Sequence, residues 1–325
     1  MKKMISFVIP CYGSENTIEG VIDEIHEIQK VHQEYNYEII LVNDSSPDKV
    51  WEVIVKLCDN NDNIIGIDLT RNFGQHAALL AGYRLSKGDV VVSLDDDGQI
   101  AVEDTYKLVE ELKNGYDVVY GKYRHKKHSL YRNLGSKFAK WMGVHLMSIP
   151  KEFEGSSFYA AKKYIIDTMN EYQNAYVYLP GLVFRATDKV GSVFVGHRKR
   201  EIGSSGYTFP KLVSLWINGA TTFSIKPLRI STLFGFITAC VGLIYSIIVL
   251  IKKIINPYVV EGWSSMMAVT LVLCGVILIV LGMMGEYVGR LYMSANREPQ
   301  YVIRQTVDHN KKQDDSEGKF DIERT

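Results

Sequence analysis

The sequence predicts an α/β protein built on a doubly wound parallel sheet, followed by a hairpin of two helices long enough to cross a membrane. Three observations carry that expectation. Short β-branched runs alternate with stretches of helical period over residues 5–120, the pattern of strand–helix–strand units with right-handed crossovers. Several of those runs stop at aspartates. Near the end of the chain, Leu228 to Ile251 and Ser264 to Met284 are apolar almost throughout, and each meets the ~20 residues needed to span ~30 Å of hydrocarbon.

Ile5 to Ile9 reads as the first strand, closed by Pro10. A helix follows through Ile18, Val21, Ile22, Ile25 and Ile28, with Ser14 or Asn16 as its cap. Glu38 to Val42 is the second strand, and its loop Asn43 to Asp48 opens a helix through Val50, Val53, Ile54 and Leu57. Ile64 to Leu69 is the third strand, ending in Asp68 and then RNFGQH. A small-residue helix, Gln75 to Ser86, leads to the buried strand Val90 to Leu94. Tyr116 to Tyr120 and the apolar VGSVFV before His197 are further strands. In such a sheet the loops after the strands gather on one edge, where ligands bind. Asp44, Asp68 and Asp95 to Asp97, distant in sequence, are therefore expected to converge.

The triplet Asp95-Asp96-Asp97 sits where its strand stops. Period-2 geometry turns Asp95 and Asp97 to one side and Asp96 to the other. Two carboxylates at a strand end suit a hard divalent cation that also binds substrate phosphates, and a cation relieves the repulsion of adjacent like charges. A solvated acidic turn is the plainer alternative. Gly74 reads either as a glycine that lets amides approach a phosphate or as a turn glycine. The basic run Lys122 to Arg132 is either a solvated face or a seat for a phosphorylated acceptor. Asn133 to Met147 is amphipathic, facing a core or a membrane interface. HRKREIGSSGYTFPKL precedes a further amphipathic stretch, Leu212 to Lys226.

The 325 residues carry a formal net charge of zero, which gives no support for wholesale nucleic-acid binding. Cys11, Cys58, Cys240 and Cys274 form no CxxC pair, which fits a reducing compartment. The first residues hold too short an apolar run for a signal peptide. The link Lys252 to Trp263 is short, so both flanks of the hairpin share one side of the membrane. Arg198, Lys199, Arg200, Lys211, Lys226 and Arg229 precede the hairpin and Arg290, Arg297 and Arg304 follow it, which places both flanks in the cytoplasm; Lys252 and Lys253 pull the other way. The expected organisation is a cytoplasmic domain over 1–208, a juxtamembrane amphipathic helix over 209–227, transmembrane helices at about 228–251 and 264–286 within 228–290, and a cytoplasmic tail over 291–325, disordered from about 306. The protein is thus expected to be multi-pass in the cell membrane with both termini cytoplasmic.

The stretches VIPCYGSENTI, LVNDSSPD, RNFGQHAALLAGY, LDDDGQ, HRKREIGSSGYTF, KPLRI and GMMGEYVGRLYMSANREPQYVI together resemble the family 2 glycosyltransferases of GT-A (Rossmann-like) fold. More narrowly they resemble the polyprenyl-phosphate glycosyltransferases: dolichol-phosphate mannose synthase, the bactoprenol glucosyltransferases and the undecaprenyl-phosphate aminoarabinose transferase. The resemblance runs from about Ile5 to Ile303. It implies that Pro10, Tyr12, Glu15, Asp44 and Asp68 line the base and ribose pocket, with Arg71, Gly74, Asp96 and Gln99 also on the nucleotide-sugar side. It implies that Asp95 and Asp97 are the DxD pair, Asp97 binding Mg²⁺ or Mn²⁺ on the donor diphosphate and Asp95 helping with ribose or metal. Arg124 and Arg132 would meet the lipid phosphate. His197, Arg200, Ser205 and Tyr207 match an H-x-x-R-x-x-G-x-S-K-Y pattern near acceptor and diphosphate, with Arg200 counted as catalytic.

Four departures stand out. Tyr12-Gly13-Ser14-Glu15 replaces a Y-N-E, Asp96 fills the middle of the DxD, and Gly206 stands where lysine is usual. Phe153 occupies the place of the family's acidic residue, and a one-residue shift brings Glu154 into that role. An acceptor phosphate with a second pKa of about 6 is already mostly dianionic near neutrality, so positioning and electrostatics carry more of the reaction than a base does. The expected activity is inverting, metal-dependent transfer from a nucleotide sugar, a UDP-sugar first, to polyprenyl (undecaprenyl) phosphate at the cytoplasmic face, for cell-envelope glycan modification. The alternative, motivated by Phe153, is a catalytically silent nucleotide- or lipid-binding membrane scaffold. A processive polysaccharide synthase is disfavoured by only two spans. A homo-oligomer is left open.

Overall fold

A computed structural model describes residues 2–123, 156–196, 198, 226–255, 262–296 and 298–309. They fall into two compact units, an α/β unit that includes 298–309 and a unit containing two long helices.

The α/β unit has one eight-stranded sheet in the order β7-β5-β6-β4-β1-β2-β3-β8. β1 (Lys3–Cys11) pairs in parallel with β2 (Tyr35–Asn43) on one side and β4 (Val90–Ser93) on the other. β3 (Ile64–Leu69) lies beyond β2 in parallel. The chain therefore winds outward through β2 and β3 and then returns across β1 to β4. The gap between the C-terminal ends of β1 and β4 is the point where winding reverses, the place where open α/β sheets bind ligands.

Helices cover both faces. Ile5, Phe7, Ile9 and Cys11 of β1 pack in one core with residues of α1 (Ile18–Val31), α2 (Val50–Asn60) and α4 (Thr105–Lys113). The alternate residue Val8, with Ile40 and Val42, faces α3 (Gln75–Leu85), whose Gly82 lets the helix backbone come close. The alternation of β1 side chains between two cores is why the strand reads as a continuous apolar run.

The sheet is mixed where a fully parallel one is expected. β6 (Tyr159–Lys162) runs antiparallel to both β4 and β5 (Val118–Tyr123), while β5 pairs in parallel with β7 (Val190–Val195). β6, α5 (Lys163–Asn170) and α6 (Leu179–Ala186) have no counterpart in the sequence reading. Four residues of strand, YAAK, carry too little pattern to be told from a loop.

Pro10 does not close β1; the strand continues to Cys11. The Val8 carbonyl accepts from Leu94 N–H, and the Cys11 carbonyl accepts from Asp44 N–H. Backbone groups alternate sides along a strand, so Pro10 points its missing N–H toward β4, which has already ended at Ser93. The bond that Pro10 would have donated to the Leu94 carbonyl is missing, and the β1–β4 ladder stops there while the β1–β2 ladder runs on to Cys11. Neither Ser14 nor Asn16 caps α1 with its side chain. Thr17 is the N-cap, and the Ser14 carbonyl accepts from Thr17 and Ile18 N–H at 3.1 Å each.

Residues 306–308, placed in a disordered segment by their polarity, belong to β8 (Ile303–Asp308), an edge strand antiparallel to β3. Its order comes from main-chain bonds to a partner strand, which composition does not record. Residues 310–325 lie outside the described residues.

In the second unit, α7 (Lys226–Ile255) and α8 (Trp263–Ala295) are apolar helices, longer than the expected 228–251 and 264–286. Ser231 Oγ lies 3.1 Å from Met283 Sδ, so the start of α7 meets the end of α8 and the pair is antiparallel. Leu228–Tyr245 and Val272–Ala295 are apolar enough to cross a membrane.

Candidate active site at the sheet's switch point

The aspartate triplet lies just past β4, at the reversal point. Tyr12 N–H donates to Asp96 Oδ2 (2.9 Å), tying the end of β1 to the loop after β4. Thr17 Oγ1 donates to the Asp96 carbonyl (2.7 Å), so the N-terminus of α1 grips the same loop. Asp96 is thereby committed to structure, turned toward β1 and α1. Burial first, and then the charge of Asp97, pushes its carboxyl up, against the Tyr12 amide and Ser14.

Asp95 faces other partners. Gln75 Nε2, from the first turn of α3, donates to Oδ1 (2.9 Å), and Ser157 Oγ donates to Oδ2. Burial pushes Asp95 up to about 6; the charges of Asp97 and Asp96 push the same way, and Ser157 and Gln75 oppose them. Asp97 Oδ1 accepts from Gln99 N–H (3.1 Å), closing the loop on itself around Gly98 at φ 69°. The Gln99 carbonyl in turn accepts from Arg198 N–H (2.8 Å), which brings the start of the basic HRKR segment to the same loop. The aspartates lie beyond the strand, so strict alternation does not apply to them. Asp96 nevertheless bonds to the end of β1 while Asp95 bonds to Gln75 and Ser157.

These residues fit a divalent metal. The donors are hard carboxylate oxygens, and one of them is crowded by like charge. Among the described residues no set of three or more ligating side chains converges. A site of one or two carboxylates completed by phosphate oxygens and water is how Mg²⁺ is usually held beside a nucleotide.

The base-side expectations change in detail. Asp44 is 3% exposed. Its two oxygens accept from Phe73 N–H (2.7 Å) and Gly74 N–H (2.8 Å). Burial holds Asp44 up at about 6 against those two amides. The Gly74 amide is thus engaged by Asp44 rather than offered to a phosphate, and its φ of 89° fits the turn reading. Asp68 is 1% exposed and bonded to Asn43 and Arg304. Glu15 bonds to Lys49 N–H (2.9 Å) while its own amide donates to Asp48 (2.9 Å), bracing the first and second loops together. Pro10 is buried and Tyr12 exposed at the mouth of the gap. Arg71 is exposed with its guanidinium over the Phe73 ring.

Gln75 and Ser157, the direct partners of Asp95, are absent from the sequence-based site. Their signal was there: Gln75 lies in RNFGQH and Ser157 immediately precedes Phe158. Ser157→Ala is expected to weaken activity about tenfold or more, the usual scale for losing a group that orients a functional carboxylate. Ser157→Thr, which keeps the hydroxyl, is expected to restore most of it in a metal titration of initial rates. Arg124, Arg132, Glu154, His197, Arg200, Ser205 and Tyr207 lie outside the described residues.

A wound sheet with carboxylates at its reversal point is the arrangement in which open α/β proteins bind ligands. Residues 6–175 match the model of glycosyl transferase family 2, and residues 226–291 match the GtrB C-terminal hairpin. The undecaprenyl-phosphate 4-deoxy-4-formamido-L-arabinose transferase of Photorhabdus laumondii is 30% identical over 319 residues, covering 97% of this chain and 98% of that protein. The protein of the same name from Aeromonas hydrophila is 32% identical over 314 residues, 94% of each. Glucosyl-3-phosphoglycerate synthase of Mycobacterium tuberculosis, solved with Mn²⁺, UDP-glucose and phosphoglyceric acid, aligns with a TM-score of 0.51 at 20% identity, over 68% of this chain and 78% of that one. That likeness shows the GT-A fold. The chain belongs to glycosyl transferase family 2, among its polyprenyl-phosphate sugar transferases, and is a membrane-associated glycosyltransferase.

Proposed function

We propose that the enzyme transfers a sugar from a UDP-sugar to undecaprenyl phosphate at the cytoplasmic face of the membrane, with Mg²⁺ or Mn²⁺ and with inversion at the anomeric carbon. The observation that carries this reading is the pair Asp95 and Asp97 at the β1/β4 gap, with Asp96 turned back to hold the loop. The names of the curated relatives support the acceptor, and the Mn²⁺ and UDP-glucose of the mycobacterial structure support the donor class.

In this reading Asp95 and Asp97 would hold the metal, which would supply positive charge to the diphosphate. Gln75 and Ser157 fix the Asp95 carboxylate so that it need not reorganise during reaction. An oxygen of the lipid phosphate attacks C1 of the sugar from the face opposite the diphosphate. The new C1–O bond forms as the old one breaks, and the diphosphate leaves with the electron pair. The acceptor arrives already ionised, so no strong base is required. The basic residues Arg124, Arg132, His197 and Arg200, with Ser205 and Tyr207, are assigned to the acceptor phosphate and diphosphate, and Glu154 to orienting a cation among them. Residues 1–208 form the catalytic domain, 209–227 the juxtamembrane helix and 228–290 the membrane hairpin, with both termini cytoplasmic.

The test is a donor panel. Detergent-purified protein, Mn²⁺ and a short polyprenyl phosphate are incubated with several UDP-, GDP- and dTDP-sugars, and lipid-linked product is read by mass spectrometry. One UDP-sugar giving a lipid-phosphate sugar is the expected outcome. Nucleotide binding with no product from any donor would instead favour the silent scaffold.

A further inference from the structure

We infer that Arg304, on the strand that follows the apolar hairpin, is a positioning residue of the donor site, acting through Asp68 and Asn43. The inference rests on the nucleotide-sugar reading above.

The local geometry of β8 is unusual. Ile303 pairs with Leu69 and Gln305 pairs with Asp68, with a register shift between Asp68 and Leu69. Arg304 is the extra residue of that bulge. Bulges next to functional edges re-aim a side chain, and here the side chain is aimed at Asp68. Arg304 Nη1 donates to Asp68 Oδ2 (2.8 Å) and Nη2 donates to the Thr70 carbonyl (3.0 Å). Thr70 N–H donates to the Val302 carbonyl (2.9 Å), so the fork is clamped from both strands.

Asp68 then passes the constraint inward. Asn43 Nδ2 donates to Asp68 Oδ1 (2.8 Å), and Asn43 Oδ1 accepts from Ser46 N–H (3.0 Å). Ser46 Oγ accepts from Gly13 N–H (2.8 Å), the residue after Tyr12. A continuous path of hydrogen bonds thus runs from the C-terminal strand, under the ends of β3 and β2, to the loop after β1 that faces the aspartate triplet. Asp68 is nearly fully buried. Without its cation it is a buried charge short of a partner, and it is expected to draw Asn43 and the loop with it.

A second anchor holds the same segment elsewhere. Arg84 donates to Tyr301 Oη (2.9 Å) and Gln300 Oε1 (2.9 Å), and Gln300 Nε2 donates to the carbonyls of Tyr172 (2.7 Å) and Asn174 (3.0 Å). This anchor does not touch Asp68, so it separates docking of the strand from orientation of the site.

The experiment compares full-length wild type, Arg304→Ala, Arg304→Lys and Arg84→Ala. Donor KM and kcat are measured at saturating acceptor with the donor found in the panel, and amide exchange is followed at residues 12–16 and 43–48. Arg304→Ala is expected to raise donor KM about tenfold, with a smaller change in kcat, and to speed exchange in both loops. Arg304→Lys keeps the charge but not the fork; it is expected to give an intermediate KM, and it carries the test if the alanine variant does not fold. Arg84→Ala is expected to leave donor KM near wild type. Wild-type KM and exchange in both Arg304 variants would overturn the inference, as would an equal rise in KM in Arg84→Ala. If wild type turns over no donor, the nucleotide-sugar reading fails on its own, and unchanged loop exchange in the Arg304 variants then overturns the positioning role.

Discussion

Asp97→Ala is expected to lower sugar transfer by about 10²–10³-fold, the scale seen when one preorganised electrostatic contact to a departing group is removed. The fold should survive the change. Asp97 lies in the loop beyond β4, where its side chain accepts from the Gln99 amide. The loop is held mainly by Asp96, through Tyr12 and Thr17. The variant should therefore keep the wild-type thermal midpoint without ligand and lack the stabilisation by metal plus nucleotide expected of the wild type. Asp96→Ala is the contrasting case, since it removes an anchor between β1 and β4 and should lower the midpoint itself. An Asp97→Ala enzyme that transfers sugar at the wild-type rate and metal requirement would remove Asp97 from the mechanism.

Gly82→Ala is expected to destabilise the α/β unit by about 1–3 kcal/mol, the cost of overpacking a close-packed core. A Cβ on Gly82 would fall 2.3 Å from Val8 Cγ1 and 3.2 Å from Val42 Cγ2. Both neighbours are short branched side chains on central strands, with no flexible end to swing aside. The helix must back away from the sheet. That movement reaches the site, because the first turn of α3 carries Gln75 to Asp95, and the Phe73 and Gly74 amides just before it bind Asp44. The variant should show a lower thermal midpoint together with weaker metal-dependent activity. Adding Val8→Ala removes the atom most closely approached, and the double variant should lose less stability than the two single changes sum to. A Gly82→Ala protein as stable and active as wild type would contradict the packing described for α3.

The order β1 to β4 and the convergence of Asp44, Asp68 and the triplet on one edge were legible, because alternating apolar strands and helices leave few ways to wind a sheet. The same logic placed the hairpin, since long apolar runs carry their own length. What escaped was held by partners distant in sequence. β6 is four residues long and its bonds come from β4 and β5. β8 looks like a polar tail until β3 supplies its ladder. The site shows the same division. Asp95 to Asp97 announce themselves as adjacent carboxylates. Which of them is structural was decided by Tyr12, Gln75 and Ser157, whose hydrogen bonds span 20 to 84 positions of sequence. Asp44 and Asp68 were found at the right edge, each nearly buried and each accepting two hydrogen bonds.

The decisive measurement is transfer of labelled sugar from the best UDP-sugar to undecaprenyl phosphate by wild-type enzyme, before and after chelation. The expected result is a lipid-linked product that disappears with EDTA and returns with Mg²⁺ or Mn²⁺. Product formation that persists without a divalent metal would contradict the role given to Asp95 and Asp97.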